Sequence, residues 1–210
     1  MSWVAGNLDD IGRAAWEHVV LVLVSVGIAT AISLVVGVWI SRRPRAYAAV
    51  MAVTALLYTI PSLALFALLI PVVGLGRTPA IIGLVSYSLL ILIRNIATGV
   101  REVPADVVEA ARGMGLGPFA LLVRIELPLA MPVIIAGIRI ATVTVIGIAT
   151  IAAYINAGGL GTLIFSGIQQ TFATKIVVGG LLTSVMAVGV DVGLTRVERR
   201  LRAGRAATAP

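Results

Sequence analysis

Few residues in this chain are equipped for covalent or metal chemistry. It has one histidine, His18, one lysine, Lys175, and no cysteine. A histidine can shuttle protons or bind a metal, but His18 has no HExxH segment, no paired acids in an apolar run and no Ser at a matching position to complete such a site. Its simplest place is at an interface, on the outer edge of an apolar run. A loop that cradles phosphates needs Gly-Lys-Ser or Gly-Lys-Thr, whereas Lys175 stands between Thr174 and Ile176. The chain is therefore not expected to be an enzyme, and it is assigned no cofactor and no metal. Without cysteine there is neither a disulfide framework nor a thiolate site.

The remaining chemistry lies in charges and polar groups set within apolar sequence. Arg139 stands eleven residues past Pro128, roughly 16 Å along a helix. Asp191 lies about 7–8 Å inside the end of the last apolar run by the same rise. A charge at such depth is costly and marks a functional position by default. Two readings stand. The pair meets between two helices, or Arg139 snorkels to the interface because its helix begins outside the lipid. Tyr58, Thr59, Pro61, Ser62, Tyr154 and Asn156 are polar, amphipathic or helix-breaking residues beside interruptions in apolar runs. Irregular backbone at that depth is tolerated where it lines a cavity or protein, so these six are candidates for a pathway or gate.

The elements that must hold these residues follow from composition. Hydrophobic residues make up 60% and charged residues 12%, with mean hydropathy +1.09. Such a chain reads as an all-α, polytopic membrane bundle with the lipid bilayer as its solvent. The net charge of +7 does not indicate nucleic acid, because the arginines cluster at the ends of apolar runs, as the positive-inside rule requires. Asp9, Asp10 and Glu17 occupy the region where a cleavable signal needs positive charge. Apolar runs predict five spans, over about 18–40, 46–72, 80–99, 128–154 and 174–195. Pro61-Ser62 is expected to kink or break the second. The segment 156–171, with Gly158-Gly159-Leu160-Gly161, is too broken for a simple helix. Trp16 and Trp39 near the ends of the first span match two interfacial belts. Small residues at helical spacing, Ala29/Ser33/Gly37 and Gly189/Gly193, would allow close helix approach. The loop at 42–45, the segment 101–127 and the tail from Arg196 hold most of the arginines, and only Arg13, Arg77 and Lys175 fall on the opposite side. That bias puts the N-terminus outside and the C-terminus in the cytoplasm.

Segment 101–127 is a charged, helix-forming island between two spans. Pro104 suits a helix start, Asp106 and Glu109 suit its early turns, and Glu109 and Arg112 are spaced to pair on its surface. Gly113, Gly115, Gly117 and Pro118 should end the helix and turn the chain. A second short helix fits Phe119 to Glu126, and Pro128 then opens the fourth span. Val107, Val108, Ala111 and Met114 give the first helix an apolar side. Physics alone leaves two readings, an amphipathic loop lying on lipid or a projecting elbow that presses on a soluble partner.

The residues Glu109-Ala110-Ala111, three positions, Gly115, nine positions, Ile125, one position and Leu127-Pro128 resemble the signature loop of ABC importer permeases at every fixed position. The runs Thr59 to Ala64, Glu109 to Gly115 and Ala157 to Gly161 are similar to the osmoprotectant branch, which handles glycine betaine, choline and carnitine. Methionine-type and other amino-acid permeases share the length and a Gly-Gly-Leu-Gly segment, and are the alternative within the family. A small channel is the alternative of another class. The resemblance implies a type I ABC importer permease fold, a single transmembrane permease domain over 1–210, a coupling-helix loop at about 101–127 and a basic cytoplasmic tail at 196–210. It implies a place in a bacterial plasma (inner) membrane. It also implies that Glu109, Ala110, Ala111, Gly115, Ile125, Leu127 and Pro128 couple the chain to cytoplasmic ABC ATPase subunits, which use the ATP. The other implied partners are an extracytoplasmic solute-binding protein and a second permease subunit.

Overall fold

The computed structural model describes residues 2–206, and every regular element among them is helical. The α-helices are α1 (Ser2–Ala5), α2 (Leu8–Ser41), α3 (Pro44–Thr59), α4 (Ser62–Val73), α5 (Arg77–Arg101), α6 (Ala105–Gly113), α7 (Pro118–Leu121), α8 (Leu127–Ala152), α9 (Gly161–Gln169) and α10 (Ala173–Ala206). A π turn, Leu122–Glu126, joins α7 to α8, and a 3-10 turn, Ala153–Ile155, closes α8. The basic tail continues α10 as helix to residue 206, and residues 207–210 of it lie outside the described residues.

Four stretches are long and apolar enough to cross a membrane: α2, α5, the unbroken run Pro118–Ile155, and Ala173–Arg202 of α10. α3 and α4 meet the same length and composition test only together, as a pair bent by 97° at Ile60-Pro61, which makes five spans if the pair counts as one. The bend has a local cause. Pro61 has no N–H to donate and disfavours helical backbone at Ile60, and both residues are extended, with ψ of 128° and 134°.

α5 sits at the centre and packs against α2, α3, α4 and α8, while α8 packs against α2 and α10. In lipid, apolar faces gain little by meeting each other, so small residues that admit close contact decide the packing. Ala29, Ser33 and Gly37 are buried along α2. A Cβ on Gly37 would lie 2.8 Å from Cγ2 of Ile96 on α5, and one on Gly137 of α8 would lie 2.5 Å from Cβ of Asn95 on α5. A Cβ on Gly189 or Gly193 would meet nothing within 4 Å among the described residues. One apolar cluster draws Leu21 and Val22 of α2, Phe66 of α4, Leu84 of α5 and Ile146 of α8 together with Ile155.

Two expectations need correcting. The first helix begins at Leu8 rather than near residue 18, so His18 lies along the helix and not at its edge. It is 0% exposed, facing α8 with Nε2 3.1 Å from the Ile146 carbonyl. The helix of the fourth span begins at Pro118, ten residues before Pro128. Proline suits the first turn of a helix, so Pro128 reads as the opening of the span, but the π turn widens the backbone just before it, and Leu127 donates its N–H to the Leu122 carbonyl five residues back. That extra residue accommodates the missing donor and the ring without a break.

Candidate functional site

The island becomes an elbow over residues 102–117. α5 ends at Arg101 and the N–H of Glu102 caps it on Thr98. Pro104 is the N-cap of α6, with Asp106 in the first turn and Arg112 in the last, both matching the helix dipole. The end of α6 is a Schellman closure: Leu116 N–H donates to the Ala111 carbonyl at 3.2 Å and Gly115 N–H to the Arg112 carbonyl at 2.9 Å. Such a closure needs a left-handed residue, and Gly115 has φ +84°. A Cβ there would meet nothing within 4 Å, so the chain itself leaves that position open.

Faces of α6 divide cleanly. Ala111 is buried and Val108 half-buried against the bundle, whereas Glu109, Ala110, Val107 and Met114 are exposed. Phe119 of α7 adds a second exposed apolar side chain. Among the described residues no ion pair joins Glu109 to Arg112. Ile125 lies in the π turn and Leu127 packs against the cluster of Leu92, Ile96, Val100 and Ala130, with Pro128 in the first turn of α8. The elbow is thus rooted in α5 and α8, with a strip of small and apolar side chains facing away from the bundle.

The six gate candidates fall into two groups. At the break in the second span, Tyr87 of α5 donates its hydroxyl to the Ile60 carbonyl. Its ring meets Tyr58 edge-on with centroids 5.8 Å apart, and Thr59 returns its hydroxyl to Leu56. Pro61 and Ser62 continue from there into α4. Tyr154 and Asn156 stand elsewhere, at the end of α8. Tyr154 stacks near Phe165 at 5.7 Å, and Asn156 adopts φ 63°. No hydrogen bond or ring contact among the described residues joins the two groups. The proline had marked the break, but Tyr87 carried no sequence signal as its partner, because it lies on another helix.

Around Asn156 the chain forms a cross-member. Gly159 N–H donates to Glu17 Oε2 at 3.1 Å, Arg77 pairs with Glu17 Oε1 at 3.3 Å, and Gly76 N–H donates to the Ile155 carbonyl at 2.8 Å. Gly158 and Gly159 both have φ +84°, and a Cβ on Gly159 would lie 3.0 Å from His18 Nδ1. Only glycine combines that backbone with that approach to α2. The opposite end of the bundle is rich in arginine. Arg42 pairs with Glu126, and Arg101 lies over the Tyr47 ring at 4.0 Å.

Arg139 is brought to Asp191, with Nη1 3.1 Å from Oδ1. The same nitrogen is 3.2 Å from the Thr195 hydroxyl, and Arg139 Nε is 3.6 Å from Glu198. Glu198 also pairs with Arg202 at 2.7 Å. The sequence carried a signal for the extra partners: Asp191, Thr195, Glu198 and Arg202 recur at steps of four, three and four on one helical face.

Apolar helices packed about α5, with a polar elbow rooted in α5 and α8, define a multi-pass membrane protein. Residues 22–203 match the family described as binding-protein-dependent transport system inner membrane component, and the chain belongs to that family. It is similar to the carnitine transport permease protein OpuCB of Listeria monocytogenes, with 40% identity over 89% of this chain and 85% of the relative. It is also similar to the choline transport system permease protein OpuBD of Bacillus subtilis, at 40% over 96% of this chain and 89% of the relative. In fold it resembles a chain of the MetNI methionine ABC transporter in an inward-facing conformation. The TM-score is 0.80 at 25% identity, covering 91% of this chain and 95% of that one.

Proposed function

We propose that the chain is the permease subunit of an ABC importer for osmoprotectants of the quaternary-ammonium class, such as carnitine, choline or glycine betaine. The observation that carries this reading is the 40% identity, along nearly the whole chain, to permeases named for carnitine and for choline. The likeness to the methionine transporter is weaker in sequence and speaks for architecture. A quaternary ammonium is ordinarily held by an aromatic cage. With 5% aromatic residues this chain is better suited to a permissive pathway, and selection falls to a separate extracytoplasmic binding protein.

In this reading the arginine-rich end faces the cytoplasm and the N-terminus lies outside. Glu109, Ala110, Val107 and Met114 present the elbow to a cleft in an ATPase subunit. Gly115 makes the turn, while Ile125, Leu127 and Pro128 join the elbow to the fourth span. ATP binding moves the clefts, the elbow follows, and α5 and α8 move with it. Because α5 holds the broken span through Tyr87, that movement reaches Tyr58, Thr59, Pro61 and Ser62, where the pathway opens and closes. A second permease subunit completes the pathway. The test is uptake by proteoliposomes that contain this chain with its partner ATPase and binding protein. ATP-dependent uptake of a labelled quaternary ammonium, with no uptake of methionine, is expected. Uptake of methionine alone would overturn the substrate class, and uptake without any ATPase would overturn the importer.

A further inference from the structure

We infer that Glu126 and Arg42 form a strut that carries the elbow's movement into α2, a helix that does not adjoin the elbow along the chain. The inference rests on the reading of residues 102–117 as the coupling element. That element is continuous only with α5 and, through α7 and the π turn, with α8. α2 ends beside it at Ser41, and Arg42 crosses 84 positions of sequence to pair with Glu126.

Three features set this pair apart from an ordinary surface ion pair. Glu126 is 3% exposed, and taking an ion pair out of water carries a desolvation cost that an ordinary surface pair does not meet. It sits on the π turn, a widened stretch of helix of the kind that marks functional sites. Its Oε1 takes Arg42, while Oε2 is buried without a hydrogen-bond partner among the described residues. A buried polar atom left unmatched demands an explanation. One lies alongside: Glu126 and Arg42 line a cavity of 280 Å³ together with Arg112 and Glu109 of α6. Arg112 lines the same cavity, and the shift proposed for α6 would carry its guanidinium against that oxygen without releasing Arg42. Glu126 would then tie α2, α6 and the root of α8 into one moving body. A pair needed only for helix capping has a weaker case, since a cation near the C-terminus of α2 is favoured by the helix dipole without any carboxylate.

Glu126 is a positioning residue in this account, so its test must separate coupling from folding. Glu126→Gln and the exchanged pair Arg42→Glu/Glu126→Arg are assembled with the ATPase and binding protein in proteoliposomes. Solute moved is measured against ATP hydrolysed. Glu126→Gln is expected to assemble and to lower solute moved per ATP by about tenfold, one power of ten being about 1.4 kcal/mol. The exchanged pair is expected to recover most of that loss. An unchanged ratio in Glu126→Gln, or an exchanged pair that assembles and recovers nothing, overturns the strut. If Glu126→Gln does not assemble, the otherwise unaltered chain decides the matter. Spin labels on cysteines placed at Arg43 and Phe119 should keep one distance with and without ATP, and a distance that changes overturns the inference. Gly115→Asp in the same transport assay reports on the elbow itself. If it uncouples while Glu126→Gln does not, only the strut falls. If it couples normally, the coupling reading falls and the strut with it.

Discussion

Removing both carboxylates from Arg139 is expected to cost about 1–2 kcal/mol more than the sum of removing each. At 3.1 Å from Asp191 and 3.6 Å from Glu198, each attraction is about 5 kcal/mol at an effective dielectric of about 20, before desolvation is subtracted. The side chain of Asp191 is 47% exposed, so solvent screens it and Asp191→Asn should cost only about 1 kcal/mol. Glu198 is 11% exposed, but after Glu198→Gln, Arg139 keeps Asp191 and Thr195, and the cost should be about 1–2 kcal/mol. With both acids neutralised, Arg139, itself 27% exposed, has no anion left, and a loss of about 3–5 kcal/mol is expected. Arg139→Met added to that double variant removes the stranded charge and should return most of the loss. Thermal unfolding of the purified chain, followed by tryptophan fluorescence, gives the order of the four variants. Strictly additive losses, or a triple variant no more stable than the double, would refute a shared carboxylate cluster. Exchanging Arg139 and Asp191 alone should rescue only partly, because Glu198 remains beside position 139.

Other outcomes follow from single contacts. Tyr87→Phe strips the partner from the Ile60 carbonyl at the break. It should cost about 1–3 kcal/mol, and a variant as stable as the original would show that the carbonyl is satisfied by other means. Gly159→Ala forces a side chain into φ +84° and to 3.0 Å from His18, with the left-handed backbone alone costing about 1–2 kcal/mol. Gly180→Ala, whose Cβ meets nothing, should be neutral or gain about 0.5–1 kcal/mol. Equal melting temperatures for these two variants would contradict the cross-member at Gly159. Gly115→Asp should leave the chain inserted in the membrane, because the space around a Cβ there is empty. It should uncouple transport from ATP hydrolysis, since in this account only a partner can meet that side chain. Normal uptake would count against the elbow.

The extent to which these sites could be read from sequence depended on how local their causes were. The break at Pro61 and the turn at Gly115 each rest on one residue's backbone chemistry, so both were visible. Apolar length alone located the spans. The start of the first helix was missed because residues 8–17 are a mixed, partly acidic segment that reads as extramembranous, yet it continues α2 and carries His18 inward. The start of the fourth was missed because proline favours a helix's first turn and Pro128 therefore reads as the opening of the span, whereas a π turn lets the helix run through it from Pro118. Pairing of Arg139 with Asp191 was one of two readings left open, because their depths of about 16 and about 7–8 Å did not match, and Thr195 and Glu198 required the stripe along α10 to be read as well. The strut could not be seen at all. Arg42 and Glu126 are 84 residues apart, and Glu126 occupies the unfixed position between Ile125 and Leu127.

The chain has no cysteine, which makes the central claim directly measurable. Met114, 72% exposed at the tip of the elbow, can be replaced by the subunit's sole thiol. A short crosslinker should join Met114→Cys to the ATPase subunit in the assembled complex, and Trp16→Cys, at the other end of the bundle, should not react with it. Labelling of Met114→Cys by an impermeant reagent from outside the cell, with no link to the ATPase, would contradict the account.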